Sequence, residues 1–439
     1  MNEKVFRDPV HNYIHVNNQV IYDLINSKEF QRLRRIKQVP TTAFTFHGAE
    51  HSRFSHCLGV YEIARQITSI FERKYPDRWD KNESLLVMVA GLLHDIGHGA
   101  YSHTFERLFG TDHERYTQEI ITNPTTHIYH ILTKVSPDFP EKVASVINHT
   151  YPNKQVVSLI SSQIDCDRMD YLLRDSYYTA AHYGQFDLTR ILRVIEPIDN
   201  GIAFSRNGMH AVEDYIVSRF QMYMQVYFHP ASRAMEVLLQ NLLKRAKELY
   251  QQTPDYFRDT SPHLLTFFEQ KQSLDDYLAL DDGVMTTYFQ AWMSSPDPIL
   301  ADLASRFINR KVFKSITFDQ KDQNKLDKLR QLICQVGFKD DYYTGIHASF
   351  DLPYDIYRPD TTDPRVEIAI IQKDGSLAEL STLSPIVSAL SGQTYGDRRF
   401  YFPKEMLESD SLFSDEQKTF SQYIQNEHFI PCGLAHHDK

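Results

Sequence analysis

The segment Gly91–His103, GLLHDIGHGAYSH, sets three histidines and one aspartate in thirteen residues, directly after an apolar run. Imidazole nitrogens together with a carboxylate suit a borderline or hard divalent ion: Zn, Fe, Mn, Co or Ni, less clearly Mg. The wider interval 47–113 holds His47, His51, His56, His94, His98, His103 and His113, seven of the chain's 20 histidines. That density points to a metal or phosphate site. Consecutive helical residues point about 100° apart and do not normally share a partner. His94 and Asp95 can share one where a helix ends, and Gly97 and Gly99 supply that end. The same glycines speak against a continuous helix through His98, so His94 and His98 are not expected to ligate as an HxxxH pair.

A second polar set lies in QIDCDRMDYLLRDSYY (Gln163–Tyr178), where Asp167, Tyr171 and Asp175 follow at i, i+4 and i+8 with Arg168 beside them. This spacing places the three on one helical face. A solvated amphipathic helix and an inward polar face both fit, and the preceding apolar VVSLI favours the second. QRLRRIK (Gln31–Lys37) carries four cations. It reads either as a solvated helix face or as a phosphate-binding patch.

These residues need elements to hold them. Apolar spacing predicts helices around 20–37, 56–73, 84–95, 141–151, 155–175, 211–228 and 299–308, and another carrying Met235, Leu238, Leu239, Leu242, Ala246 and Leu249 on one face. A hairpin is expected at Gly201–His210 around Asn207-Gly208. Residues 251–300 read as short helices broken by prolines. VEIAIIQKDGSLAELS (Val366–Ser381) reads as two strands about an Asp374-Gly375 turn. The expected fold is mainly α, a helical core with a smaller α+β C-terminal region. Its expected divisions are a core over 1–250, a helical extension over 251–334 and the α+β region over 335–439.

The chain has 439 residues and a formal net charge of −10, which lends no support to non-specific nucleic-acid binding. The four cysteines lie far apart, so neither a disulfide scaffold nor a cysteine zinc site is expected, and a cytoplasmic protein with reduced thiols is. The start has no basic stretch leading into an apolar one, so no secretory signal is expected. The apolar run Leu85–Leu93 is far shorter than the ~20 residues of a spanning helix, so no membrane partner is expected.

HSRFSHCLG (His51–Gly59), HDIGHGAYSH (His94–His103) and IDCDRMDYLLRD (Ile164–Asp175) stand in the H…HD…D order of the HD phosphohydrolase superfamily. VFRDPVHNYIHV (Val5–Val16) and FQRLRRIKQ (Phe30–Gln38) resemble, more narrowly, the deoxynucleoside triphosphate triphosphohydrolases, which include a vertebrate sterile-alpha-motif-linked enzyme and stand-alone bacterial relatives. The likeness is dense to about residue 230 and thinner to about 315. It implies an HD-domain helical core and a divalent metal (Mn, Mg, Fe, Zn, Co or Ni) held by His56, His94, Asp95 and Asp167. It implies water attack at the α-phosphorus of a dNTP, releasing a deoxynucleoside and inorganic triphosphate. His98, His103 and the His113-Glu114 pair are the implied proton donors to the departing 5′-oxygen. Arg53, Arg168 and Arg219 match phosphate contacts, Gln38 and Asp175 the sugar 3′-hydroxyl, Tyr171 the wall against a 2′-hydroxyl, and Tyr227 and His229 the base. Members of this type are homotetramers whose nucleotide activators bind between subunits. Lys4, Val5, Asn26, Gln31, Arg34, Arg310 and Lys314 match positions there, favouring the phosphate-patch reading of Gln31–Lys37. Two positions depart: Asn26 replaces an aspartate that reads a guanine edge, and Tyr223 replaces a histidine of the catalytic pocket. Two other readings stay open, another HD phosphohydrolase (of a phosphomonoester, cyclic nucleotide or alarmone) and a non-catalytic nucleotide sensor.

Overall fold

The structure, a computed structural model, describes residues 2–318, 322–351, 367–391, 395–408 and 413–426. Val366, Cys432 and the parts of the expected C-terminal region at 352–366, 392–394, 409–412 and 427–439 lie outside the described residues.

The fold is mainly α-helical. A hairpin of β1 (Lys4–Asp8) and β2 (Asn12–Val16) leads into α1 (Gln19–Ile25) and α2 (Lys28–Arg32). The single helix expected over 20–37 is thus broken, because Ser27 accepts from the Phe30 N–H and caps a new helix. Then follow α3 (Arg53–Lys74), α4 (Ser84–Leu93), α5 (Ser102–Phe109), α6 (His113–Thr122), α7 (His127–Leu132), α8 (Phe139–Ile147), α9 (Lys154–Ile160) and α10 (Cys166–Thr179). The helix expected over 155–175 is two. Asp165 ends the gap by accepting from the Ser162 and Arg168 N–H groups, so α10 begins where its first turn presents Asp167.

The core around α3 and α4 is built from residues such as Val60, Ile63, Ile67, Val87, Ala90 and Leu93, all at most 1% exposed. The turn after α4 packs tightly on α6. A Cβ on Gly97 would lie 2.2 Å from the His113 carbonyl oxygen, so this glycine is required by close approach of two backbones. Tyr101 takes φ 51° before α5, reversing the chain between His98 and His103.

Next come α11 (Leu188–Val194), β3 (Ile195–Ile198), β4 (Gly201–Ser205), α12 (Met209–Met222) with a π-turn at Tyr223–Tyr227, and α13 (Pro230–Tyr250). A hairpin does form here, but its turn is Asp199-Asn200, and Asn207-Gly208 enters α12 instead. Short helices over 254–308 pack on α13 in a second core. The remaining strands are β5 (Lys314–Thr317), β6 (Gly345–Asp351), β7 (Ala369–Ile371), β8 (Leu377–Glu379) and β9 (Tyr395–Phe402). They form a β5-β9-β6 sheet and extend the β3–β4 hairpin into a β3-β4-β7-β8 sheet. The β7–β8 turn is at Asp374-Gly375, with Gly375 at φ 85°. Among the described residues Cys57, Cys166 and Cys334 are free, and no helix is long and apolar enough to cross a membrane.

Candidate metal centre and substrate pocket

Three helix ends deliver the convergent ligands. His56 lies in the first turn of α3, His94 and Asp95 close α4, and Asp167 opens α10. Asp167 Oδ1 stands 3.0 Å from His56 Nε2 and 3.4 Å from His94 Nε2, and Asp95 Oδ1 stands 3.4 Å from His94 Nε2. The opposite ring nitrogens are already committed. His56 Nδ1 donates to Asp170 Oδ2 at 2.7 Å, and His94 Nδ1 to the Gly91 carbonyl at 2.8 Å. Each Nε2 is then a lone pair, and both are buried with no hydrogen bond of acceptable geometry. Orphaned nitrogens facing two carboxylates fit a divalent cation.

The electrostatics show a strongly negative site, in which a bound cation would take the place of a proton on His56 Nε2. Burial opposes protonation of His56, yet Asp167 and Asp170 outweigh it and push its pKa up to about 10. Burial likewise opposes charge on Asp95 and Asp167, but Arg53 beside Asp95, and His56 and His94 beside Asp167, hold both below the usual carboxylate range. Asp170 is wholly buried and also bonded to His11 Nε2 at 2.6 Å and Arg174 Nε at 2.9 Å.

The other histidines form a second cluster. Ser102 Oγ donates to the Gly99 carbonyl, so it accepts from His98 Nδ1 at 2.9 Å, leaving His98 Nε2 3.2 Å from Asp95 Oδ1. Burial, then Arg53, lowers the His98 pKa and keeps this ring neutral. His98 stacks on His113 with centroids 3.9 Å apart. Burial lowers the His113 pKa, but the hydrogen bond to Glu106, at 2.9 Å, turns the net shift upward. His103 is exposed, 3.9 Å from Glu106. Glu106 is therefore the carboxylate partner of His113. Glu114, expected in that position, is exposed, because its side chain leaves α6 in another direction.

A cavity of about 390 Å³ runs from Asp95 and Asp167 past Arg53 to Gln38, Tyr171, Asp175 and Tyr227. Asp167, Tyr171 and Asp175 all line it, as their spacing on one helical face requires. Asp175 accepts from the Tyr227 hydroxyl at 2.6 Å, and Tyr223 adds a further aromatic wall. Arg168 is paired with Asp165 at 3.2 Å and lines a neighbouring cavity that shares Asp95, His113 and Asp167. Arg219 is buried with its guanidinium 5.5 Å over the Tyr223 ring.

The HD domain model matches residues 53–175, and the HD associated region model matches 186–409. The chain belongs to the HD family of metal-dependent phosphohydrolases. It is 50% identical over 406 residues to YwfO, an uncharacterised Bacillus subtilis protein, covering 92% of this chain and 93% of that one. It is 25% identical over 349 residues to the Dictyostelium discoideum homologue of deoxynucleoside triphosphate triphosphohydrolase SAMHD1, covering 76% of this chain and 65% of the relative. A crystal structure of a Bacteroides thetaiotaomicron phosphohydrolase superposes with a TM-score of 0.74 at 26% identity, covering 92% of this chain and all of that one.

The remaining expected residues of this HD protein are dispersed. His229 lies away from the Tyr171 cavity: its Nδ1 accepts from the Ala231 N–H, capping α13, and it lines a separate cavity of about 770 Å³. Arg310 and Lys314 line that same cavity with Lys311, Arg399 and Lys404. Lys4 and Val5 are exposed on β1, and Asn26 is exposed at the end of α1. Gln31 Oε1 accepts from Arg34 Nε at 2.9 Å, and the Arg34 guanidinium stacks 3.6 Å over Phe54. Residues unnamed from sequence are Glu106, which lies at i+3 from His103, and Asp170, at i+3 from Asp167. Both spacings are those of helical neighbours.

Proposed function

We propose that the protein hydrolyses deoxynucleoside triphosphates to a deoxynucleoside and inorganic triphosphate, with a nucleotide activator bound between subunits of a homotetramer. One observation carries the reading: a single cavity is lined by Asp95 and Asp167 and also by Tyr171, Tyr227, Asp175 and Gln38. The last four have the polar and aromatic character of a deoxyribose site, and the likeness to triphosphohydrolases named SAMHD1 supports it.

His56, His94, Asp95 and Asp167 would hold the divalent ion, which supplies Lewis-acid polarisation of a phosphoryl group and activation of water. Arg53 neutralises charge beside the α-phosphate, while Arg168 in the adjoining cavity and Arg219 beside Tyr223 add positive charge near Tyr171 for the outer phosphates. His113 is the proton donor to the departing 5′-oxygen. Glu106 occupies its Nδ1, so the transferable proton sits on Nε2, and the upward shift keeps it there. Neutral His98 packs against it and orients it; exposed His103 lies within reach of the phosphates. Tyr171 excludes a 2′-hydroxyl by contact. The cationic cavity at Arg310 and Lys314, together with the Gln31–Arg34 pair and the exposed Lys4 and Val5, suits nucleotide phosphates at a subunit contact. Asn26, an amide, does not favour guanine there.

The test supplies each dNTP alone and in pairs, with Mn or Mg, and separates the products. Triphosphate plus deoxynucleoside is expected, with one nucleotide licensing hydrolysis of another. Orthophosphate or pyrophosphate as the only inorganic product would sink the reading.

A further inference from the structure

We infer that His51 is the positioning residue for the sugar end of the cavity, fixing Asp175 through its side chain and Gln38 through its main chain. The inference rests on the reading of that cavity as a deoxynucleotide site. His51 does not line the cavity; it stands behind Asp175 with a fully buried imidazole. Its Nε2 lies 2.7 Å from Asp175 Oδ1, and its carbonyl oxygen accepts from the Gln38 N–H at 3.0 Å. Thus one residue sets two groups that line the same pocket, although they are distant in sequence.

The ring itself has little freedom. It stacks on Tyr178 at 4.5 Å with planes 17° apart. The loop carrying it presses on the end of α10, where a Cβ on Gly48 would lie 2.5 Å from the Tyr178 carbonyl oxygen. His51 Nδ1 is buried with no partner, which assigns the proton to Nε2, where Asp175 accepts it. Of the carboxylate's roughly four acceptor directions, His51 and Tyr227 occupy one on each oxygen, and the others stay open. Gln38 Oε1 is buried with no partner too. The O and N ends of its amide exchange by a half-turn. A hydroxyl placed between the two satisfies both: it donates its proton to Asp175 and accepts from the amide nitrogen. The 3′-hydroxyl of a deoxynucleotide is such a group, and a site built for a hydroxyl rejects a ligand that lacks it.

The experiment compares kcat/KM for a dNTP and for its 3′-deoxy analogue in the full-length, Mn-loaded protein. Wild type is expected to favour the dNTP. In His51→Leu the dNTP value should fall roughly 10–100-fold while the analogue changes little, so the ratio collapses. His51→Gln, whose Nε2 reaches the same oxygen, should keep most of the ratio. Equal losses for both nucleotides in His51→Leu, with the ratio intact, would assign His51 a merely structural role and overturn the inference. Triphosphate from neither nucleotide in the wild type would overturn the reading of the cavity, and the inference with it.

Discussion

Asp170 never meets the substrate cavity, yet it bonds His11, His56 and Arg174 and sets the tautomer of a metal-binding imidazole. In Asp170→Asn the amide has one acceptor oxygen for donors from three residues, and His56 loses the partner that holds its Nδ1 proton. Metal affinity should drop about 10–100-fold, read by competition with a fluorescent chelator; an unchanged dissociation constant would refute this role. Glu106 poses a separate test. A general acid works while protonated, so a raised His113 pKa extends activity to higher pH, and activity is lost as pH rises through that pKa. Glu106→Gln removes the largest raising influence, so the alkaline limb of the kcat/KM profile should move to lower pH. Glu114→Gln should leave it in place, because Glu114 is exposed and points elsewhere. From sequence, a carboxylate adjacent to His113 was the natural choice, and only the packing of α5 against α6 shows that one seven residues earlier reaches the ring.

At the scale of elements, α3 and α10 must approach closely for His56 and Asp167 to converge, and Gly59 permits it. A Cβ there would lie 1.8 Å from Asp170 Oδ1 and 2.5 Å from Arg174 Nη2, both wholly buried. Gly59→Ala should therefore destabilise the fold by about 1–3 kcal/mol in denaturant titration and weaken metal binding as the helices part. Unchanged stability would mean that Asp170 and Arg174 have room to move. The helices themselves were legible, since α3, α4 and α13 carry long apolar stripes and their burial is decided by local pattern. Their breaks were less so. The cap at Ser27 and the Asp165 turn depend on single hydrogen bonds that apolar periodicity does not register. The hairpin turn moved to Asp199-Asn200 because β3 could be recognised only through its pairing with β4. His51 was visible as one histidine among seven, but its tie to Asp175 spans 124 positions, and no local spacing encodes it.

For the whole molecule, the chain's late strands reinforce its early helices. Phe204 of β4 stands in register with Ile370 of β7, and Ile368, Ile370, Leu380 and Val387 are buried in the same core as α3 and α4. The expected division at residue 335 gives no hint of this, because a three-residue strand shows its partner only in the folded chain. The consequence is testable through cooperativity. Ile370→Ala empties space in that shared core and should cost about 2–5 kcal/mol. The loss should appear in the unfolding transition that also releases bound metal, since β7 braces the hairpin packed on α9, which in turn contacts α4. Calorimetry of the Mn-loaded protein, followed with a chelating dye, reads both events together. If the metal-releasing transition stays at its wild-type temperature while a separate one shifts, β7 belongs to an independently folding unit and the shared core does not couple the two.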